Sequence, residues 1–265
     1  AQAVMAHPSV SRRVNPEAVR EFLQHRWVRS GRHLVDSIKT LPPGTYLLKH
    51  GSQVRRHVYW DVNANSEARD WSPSQWRDEV GQTLETSVKR HLRSDVPLGL
   101  FLSGGLDSSL IAHFTACHTR EDLTAFTFSA GGASDETEVA AAFAKESGFA
   151  HQSVTMTTQD FELYPEIVGA MSNPVGEIII VPTWVLCREA AKDVKVALSG
   201  EGADEAFAGY AYLSTLRMLH KLRWAAPLEG ILSGLVGLTP IPVLNRLFDY
   251  EASLGRLGRK AAAEL

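Results

Sequence analysis

The 265 residues carry 27 Lys and Arg against 30 Asp and Glu, a formal net charge of −3, with 44% hydrophobic and 22% charged residues. Such a chain can bury a proper core and reads as globular, with one large domain plus an appendage. Its charges are interspersed rather than blocked, so no basic face for nucleic acid is expected.

In chain order, the first periodic stretch runs from Pro16 to Val28, with Val19, Phe22, Leu23 and Trp27 near one helical stripe and Pro16 suited to a first turn. A short amphipathic helix is predicted there. After Pro42-Pro43-Gly44, the runs Thr45 to Lys49 and Val54 to Trp60 flank a turn at His50-Gly51-Ser52, which predicts a β-hairpin. Ser72 before Pro73 is a candidate N-cap, and Trp76, Val80, Leu84, Val88 and Leu92 continue a helix to about Ser94. Trp71, Trp76 and Trp184 are expected in the core.

The main domain follows. Strands are predicted at Pro97 to Leu102, Leu123 to Phe128, Gln152 to Met156 and Val194 to Leu198. Helices are predicted at Ser108 to Cys117, after Asp135 and Glu138, after Thr158 and at Thr183 to Ala191. This alternation means an α/β fold with a parallel sheet covered by helices on both faces. Cys117 and Cys187 lie in apolar helical stretches and are expected as buried, reduced thiols of a cytoplasmic protein. Ile231 to Leu244 is broken by Gly234, Gly237, Pro240 and Pro242 and is too short to cross a bilayer, and no signal-peptide pattern opens the chain. No membrane partner is expected. The start at Ala1 and the basic, Ala-rich end from Gly255 suggest a piece of something longer.

Two loops concentrate the chemistry. Ser103-Gly104-Gly105-Leu106-Asp107-Ser108-Ser109 joins an apolar strand directly to an apolar helix. Glycines let the backbone approach a ligand, and hydroxyls with the free N–H groups of a helix start can wrap an anion. Two glycines alone would equally suit a tight turn. The loop lacks the Gly-Lys-Ser/Thr ending of a Walker A motif and is not a dinucleotide Gly-x-Gly-x-x-Gly pattern. The second loop, Ser199-Gly200-Glu201-Gly202-Ala203-Asp204-Glu205, also follows an apolar strand. Its three neighbouring carboxylates repel one another unless a cation is bound, for which Mg²⁺ carried by ATP is the simplest choice; a solvated helix cap is the alternative.

The string Ser-Gly-Gly-x-Asp-Ser in this strand, turn and helix context resembles the pyrophosphate loop of the adenine nucleotide α-hydrolase-like ATP pyrophosphatases. With Leu198-Ser-Gly-Glu-Gly-Ala-Asp-Glu-x-Phe-x-Gly-Tyr210 added, the chain is similar to the asparagine synthetase family. Thr127-Phe128-Ser129, Ser134-Asp135-Glu136 and Pro182-Thr183 agree, and Leu41 to Gly44 with Tyr59-Trp60-Asp61 resembles the junction between that family's glutaminase and synthetase domains.

That resemblance implies a parallel five-stranded sheet, with residues 1–66 as the end of a glutaminase domain plus a linker hairpin, and 67–265 as a synthetase domain lacking its C-terminal part. It implies that Ser103, Gly104, Gly105, Asp107 and Ser108 hold the pyrophosphate of ATP, and that Leu102, Phe128, Ser199 and Gly200 line the adenosine. Asp107 and Asp204 would bind Mg²⁺, and Glu201 would act, with Asp107, in catalysis. The implied reaction is ATP-dependent amide formation through an acyl-adenylate, aspartate plus ammonia giving asparagine, AMP and pyrophosphate. Its ammonia would come from a glutaminase domain, and a homodimer is a possible assembly.

The chain departs from the family in three places. No cysteine opens it, so glutaminase activity is not expected of it. The family's Arg-x-Lys-Gly-Phe segment is not found after Tyr212, and Arg259-Lys260 reads as surface charge. Between Asn173 and Pro182, the apolar run after Glu177 replaces small or polar residues near the acceptor pocket; Glu177 is either a substrate contact or simply exposed. The same chemistry on another carboxylate, in a β-lactam or macrolactam cyclase, therefore stays open. So does a nucleotide-binding fragment without turnover. The histidines show no metal-ligand spacing and are expected to be structural or surface residues.

Overall fold

The computed structural model of the chain describes residues 1–29, 31–62, 69–119, 122–129, 131, 136–210 and 213. Two compact units divide the chain, Ala1–Ser199 and Gly200–Leu265.

The first unit opens with a single turn, α1 (Gln2–Met5), and the helix α2 (Pro16–His25). Asn15 caps α2 by accepting from the N–H groups of Glu17 and Ala18, and Pro16 fills the first turn as expected. The buried face is not the expected one. Ala18 and Glu21 point inward while Leu23 and Trp27 are 76% and 54% exposed, because the Glu21 carboxylate is drawn in by Arg32, whose Nη1 donates to it at 2.5 Å.

Residues just beyond α2 dock on a distant segment. The Gly176 N–H donates to the Arg26 carbonyl at 2.7 Å. Buried His33 donates from Nε2 to the Ser172 carbonyl at 2.7 Å, and its Nδ1 accepts from the Val35 N–H at 2.9 Å. Asn173 closes the clamp, accepting from the Leu34 N–H and donating to the Arg32 carbonyl, each at 3.1 Å. These partners are acceptor-only or donor-only groups, so the clamp fixes the His33 tautomer.

The predicted hairpin forms from β1 (Thr45–His50) and β2 (Gln53–Val58), paired antiparallel from Thr45↔Val58 to His50↔Gln53. The Gly44 carbonyl accepts from both Tyr59 and Trp60 N–H groups at the open end. A side chain at Gly44 would sit 2.0 Å from the Trp60 carbonyl oxygen, so only glycine fits there. Helix α3 (Pro73–His91) starts at Ser72 with a capping box completed by Gln75. Trp76 is 44% exposed rather than in the core; it packs on Trp71 at 4.8 Å, with the Arg69 guanidinium over that ring. Trp184 is half-buried.

The sheet contains β3 (Leu98–Phe101), β4 (Thr124–Ser129), β5 (Ala150–Thr155) and β6 (Val196–Leu198), all parallel, in the order β5-β4-β3-β6. Among the described residues it has four strands, not the expected five, because only these four strand-forming runs pair. The connecting helices are α4 (Leu106–His118), α5 (Thr137–Ser147), α6 (Tyr164–Ala170) after a 3₁₀ turn at Thr158–Leu163, and α7 (Ile180–Ala190).

Strand alternation divides the core into two layers. Leu98, Leu100, Leu102, Leu123 and Ala125 pack with Ala112 of α4 and Ala140 and Ala144 of α5. On the opposite face Phe126 and Phe101 pack with Leu186 and Ala190 of α7 and with Val194. Helices therefore cover both faces, as expected. The chain steps outward from β3 to β4 to β5, then returns to place β6 on the other side of β3. Ligands in open α/β sheets bind at the carboxyl ends of strands at such a reversal.

Both cysteines are exposed, against expectation. The buried stripe of α4 is Ser108, Ala112 and Thr115, and that of α7 includes Val181 and Val185; Cys117 and Cys187 each fall two residues past these stripes, on the far side of the helix. Among the described residues no helix is long and apolar enough to cross a membrane. Ser134, Asp135, Tyr212, the stretch 231–244 and Arg259-Lys260 lie outside the described residues.

Candidate functional site

The ladder between β3 and β4 ends where the Leu102 N–H donates to the Phe126 carbonyl at 3.0 Å. Gly104 then takes φ +81, which an L side chain rarely adopts, and Gly105 caps α4 at φ −71. Gly104 also packs closely on the start of α5. A Cβ there would meet Val139 Cγ1 at 3.3 Å and the Ala140 nitrogen at 3.4 Å.

The side chains of this turn close a ring. The Gly105 N–H donates to Ser103 Oγ at 3.2 Å, the two serine hydroxyls lie 3.0 Å apart, and Ser108 Oγ donates to the Gly105 carbonyl at 3.2 Å. With the Ser108 proton so used, Ser103 donates to Ser108. The Ser103 N–H also donates to Ser108 Oγ at 3.1 Å. Ser108 is 7% exposed, whereas Ser103 is exposed.

The N–H groups of Leu106, Asp107 and Ser108 belong to the first turn, where no preceding carbonyl can take them. The half-buried Asp107 carboxylate stands in that same turn. Free N–H groups, the exposed Ser103 hydroxyl and a helix dipole suit an anion with several oxygens, and Asp107 suits a hard cation riding with it. The residues present thus fit a nucleotide phosphate with its metal. Among the described residues no three His, Cys, Asp or Glu side chains converge into a protein-only metal site.

Directly under the loop, the fully buried Thr127 hydroxyl donates to the Leu102 carbonyl at 2.6 Å and lies 2.9 Å from His151 Nε2. Burial pushes the His151 pKa below its ordinary value. The sequence expects the histidines, His151 among them, as structural or surface residues, and offers Thr127 only as part of a strand and of the Thr127-Phe128-Ser129 stretch. Their signal was alternation: Thr127 shares its face with Leu123 and Ala125, and a polar residue on a core face needs partners.

Of the residues expected at the adenosine, Leu102 is 1% exposed and belongs to the core. Phe128 is half-buried on the face that carries Phe126. Leu100 pairs with Leu198, so Ser199 leaves the sheet beside the start of the first loop. Ser199 also lines a cavity of about 200 Å³ with Leu84, Val88, His91, Ile111 and Leu198.

The second loop belongs to the unit that begins at Gly200. Gly202 sits at φ +91 and opens a five-residue helix, α8 (Ala203–Phe207), which Ala208 ends at φ 57. The Gly209 N–H donates to the Asp204 carbonyl at 3.0 Å. A Cβ at Gly209 would lie 2.0 Å from Asp204 Oδ1, so a side chain there would make the Asp204 carboxylate turn away. Tyr210 Oη donates to Glu205 Oε1 at 2.6 Å and holds that carboxyl below the usual range. Glu201 is exposed and Asp204 half-buried. Glu177, the other weighed carboxylate, is 3.4 Å from Arg26 Nη1.

A family model described as asparagine synthase matches residues 79–264. This chain belongs to the asparagine synthase family. Within that family it is 32% identical over 228 residues to asparagine synthetase [glutamine-hydrolyzing] 1 of Bacillus subtilis, covering 84% of this chain and 34% of that one. It is 41% identical over 150 residues to a putative asparagine synthetase [glutamine-hydrolyzing] of Mycobacterium tuberculosis, covering 56% and 22%. The chain thus spans about a fifth to a third of the length of these curated relatives. An NH3-dependent NAD synthetase from Campylobacter jejuni superposes at a TM-score of 0.35 with 15% identity, covering 50% of this chain and 60% of that one, too distant to bear on function.

Proposed function

We propose that this chain supplies the nucleotide-handling part of an AMP-forming amide ligase, most simply one that joins ammonia to aspartate. The observation that carries the reading is the Ser103–Ser108 turn, a phosphate-shaped cradle at the carboxyl end of β3 in a chain of this family. In this proposal Ser103, Gly104, Gly105, Asp107 and Ser108 receive the pyrophosphate, and Leu102, Phe128, Ser199 and Gly200 border the adenosine. Asp107 and Asp204 would hold Mg²⁺, which would offset charge on the departing pyrophosphate.

The carboxylate substrate attacks the α-phosphorus of ATP, the bond to the β-phosphate oxygen breaks, and pyrophosphate leaves from the cradle. N–H groups aimed at the leaving oxygens are worth most where charge develops. Glu201 would then take a proton from the amine as it attacks the acyl carbon and AMP leaves. Ammonia delivered by a glutaminase domain, a cytoplasmic location and a homodimer complete the proposal.

The test is pyrophosphate release from ATP and Mg²⁺, with and without aspartate and ammonium. Aspartate-dependent release that falls by roughly 100-fold or more in Asp107→Ala supports the reading. ATP consumption indifferent to every carboxylate offered, or unchanged in Asp107→Ala, refutes it.

A further inference from the structure

We propose that Thr127, held by His151, is a positioning residue that fixes the Leu102 carbonyl and through it the shape of the Ser103–Ser108 loop. The inference rests on the reading of that loop as the nucleotide cradle. Thr127 and His151 themselves touch no proposed ligand.

The argument follows the protons. A carbonyl can only accept, so the Thr127 hydroxyl spends its single proton on Leu102 at 2.6 Å. His151 Nε2, 2.9 Å from the same oxygen, must then be the donor. The imidazole is thereby set as the Nε2–H form with respect to Thr127. Three neighbouring strands are tied crosswise: His151 on β5, Thr127 on β4, and Leu102 at the end of β3.

The tie lies at the point where backbone pairing stops. Leu102 makes the last link of the β3–β4 ladder through its N–H. Its carbonyl is held by a side chain, and the next residue, Ser103, begins the ring that closes on Ser108. Thr127 is 1% exposed and Leu102 also 1%. Neither water nor rotamer exchange easily substitutes for the bond, since a buried acceptor without a partner is costly. Without the bond the Leu102–Ser103 peptide keeps only the tie from the Ser103 N–H to Ser108 Oγ, and the cradle is less firmly oriented before any ligand arrives. The β-branch of threonine also narrows the directions its hydroxyl can take in a packed strand.

The experiment compares Thr127→Val, Thr127→Ser and His151→Leu with the unaltered chain by amide hydrogen exchange, ¹⁵N imidazole NMR and MgATP titration. Valine keeps the shape and removes the hydroxyl. It should speed exchange of the Ser103 and Gly105 amides by about tenfold, with amides in the middle of α4 unchanged. It should also abolish the Nε2–H signature of His151 and weaken MgATP binding by about tenfold. Serine should restore all three readouts, and His151→Leu should shift the loop amides in the same direction by a smaller factor. Should Thr127→Val fail to fold, the His151→Leu loop exchange decides. Loop exchange equal to that of the unaltered chain overturns the inference. An unaltered chain that takes no MgATP refutes the nucleotide reading instead, and the exchange data then decide the role of Thr127 by themselves.

Discussion

The two glycine-rich loops solve opposite problems. The Ser103–Ser108 turn is closed upon itself by serine hydroxyls, anchored by buried Ser108 and braced from below by Thr127. The Gly200–Tyr210 turn buries none of its helix residues, relies on positive φ at Gly202 and Ala208, and is tied through its side chains by Tyr210 to Glu205. A loop that offers N–H groups can satisfy itself internally and keep its shape while empty, which lowers the cost of binding later. A loop that offers carboxylates cannot close on them alone, because like charges donate nothing to one another; here Glu205 takes its donor from Tyr210, while Glu201 is exposed and Asp204 half-buried.

The contrast can be broken at four points. The largest effect is expected from Ser108→Ala, which removes the oxygen shared by the Ser103 amide, the Ser103 hydroxyl and the Gly105 carbonyl. Urea unfolding should show a loss of about 1–3 kcal/mol, the cost of leaving buried partners unmade. Gly104→Ala comes next, since it forces an alanine to φ +81 against the α5 backbone. Thermal melting should report about 1–2 kcal/mol.

In the second loop Gly209→Ala puts its Cβ against the end of the Asp204 side chain, which can turn away at small cost. The Asp204 carboxyl ¹³C shift should move while unfolding of the sheet, followed through its buried core amides, is unchanged. The smallest effect is that of Tyr210→Phe. With the Tyr210 hydroxyl the Glu205 carboxyl titrates below its ordinary range, so the bond contributes above the ordinary carboxylate pKa and is lost as pH falls through the lowered value. Carboxyl ¹³C titration should show Glu205 moving back up in the phenylalanine variant; an unmoved titration would mean the hydroxyl is not its partner in solution.

The α/β pattern was legible because apolar runs and helical periodicity alternate so regularly from Pro97 onward. Each described strand and helix of the main domain lies within a few residues of its expected place. Less legible was which face would turn inward on α2, where the stripe of Leu23 and Trp27 lost to a carboxylate bound by arginine. Helix periodicity registers polarity, and a buried carboxylate paired with an exposed arginine reverses its meaning. Cys117 was misjudged for a related reason: an apolar neighbourhood in sequence does not say which side of a helix a residue occupies. The first loop was legible as a strand-to-helix turn, where Gly104 takes φ +81 and Ser103 and Ser108 tie the backbone. The Thr127 and His151 support was not, because it joins three strands that adjoin only once the sheet is assembled.

The clamp formed by Arg26, His33 and Asn173 also bears on the order in which the protein can be made. His33 meets its Ser172 partner across 139 positions of chain. A ribosome adding about 5–20 residues each second needs on the order of 10 s to travel that distance. Throughout that interval His33 has no Ser172 carbonyl to bind. Completion of the clamp is therefore gated by emergence of the α6–α7 connection, and a pause in synthesis before Ser172 would leave the segment around His33 without these partners and open to proteases.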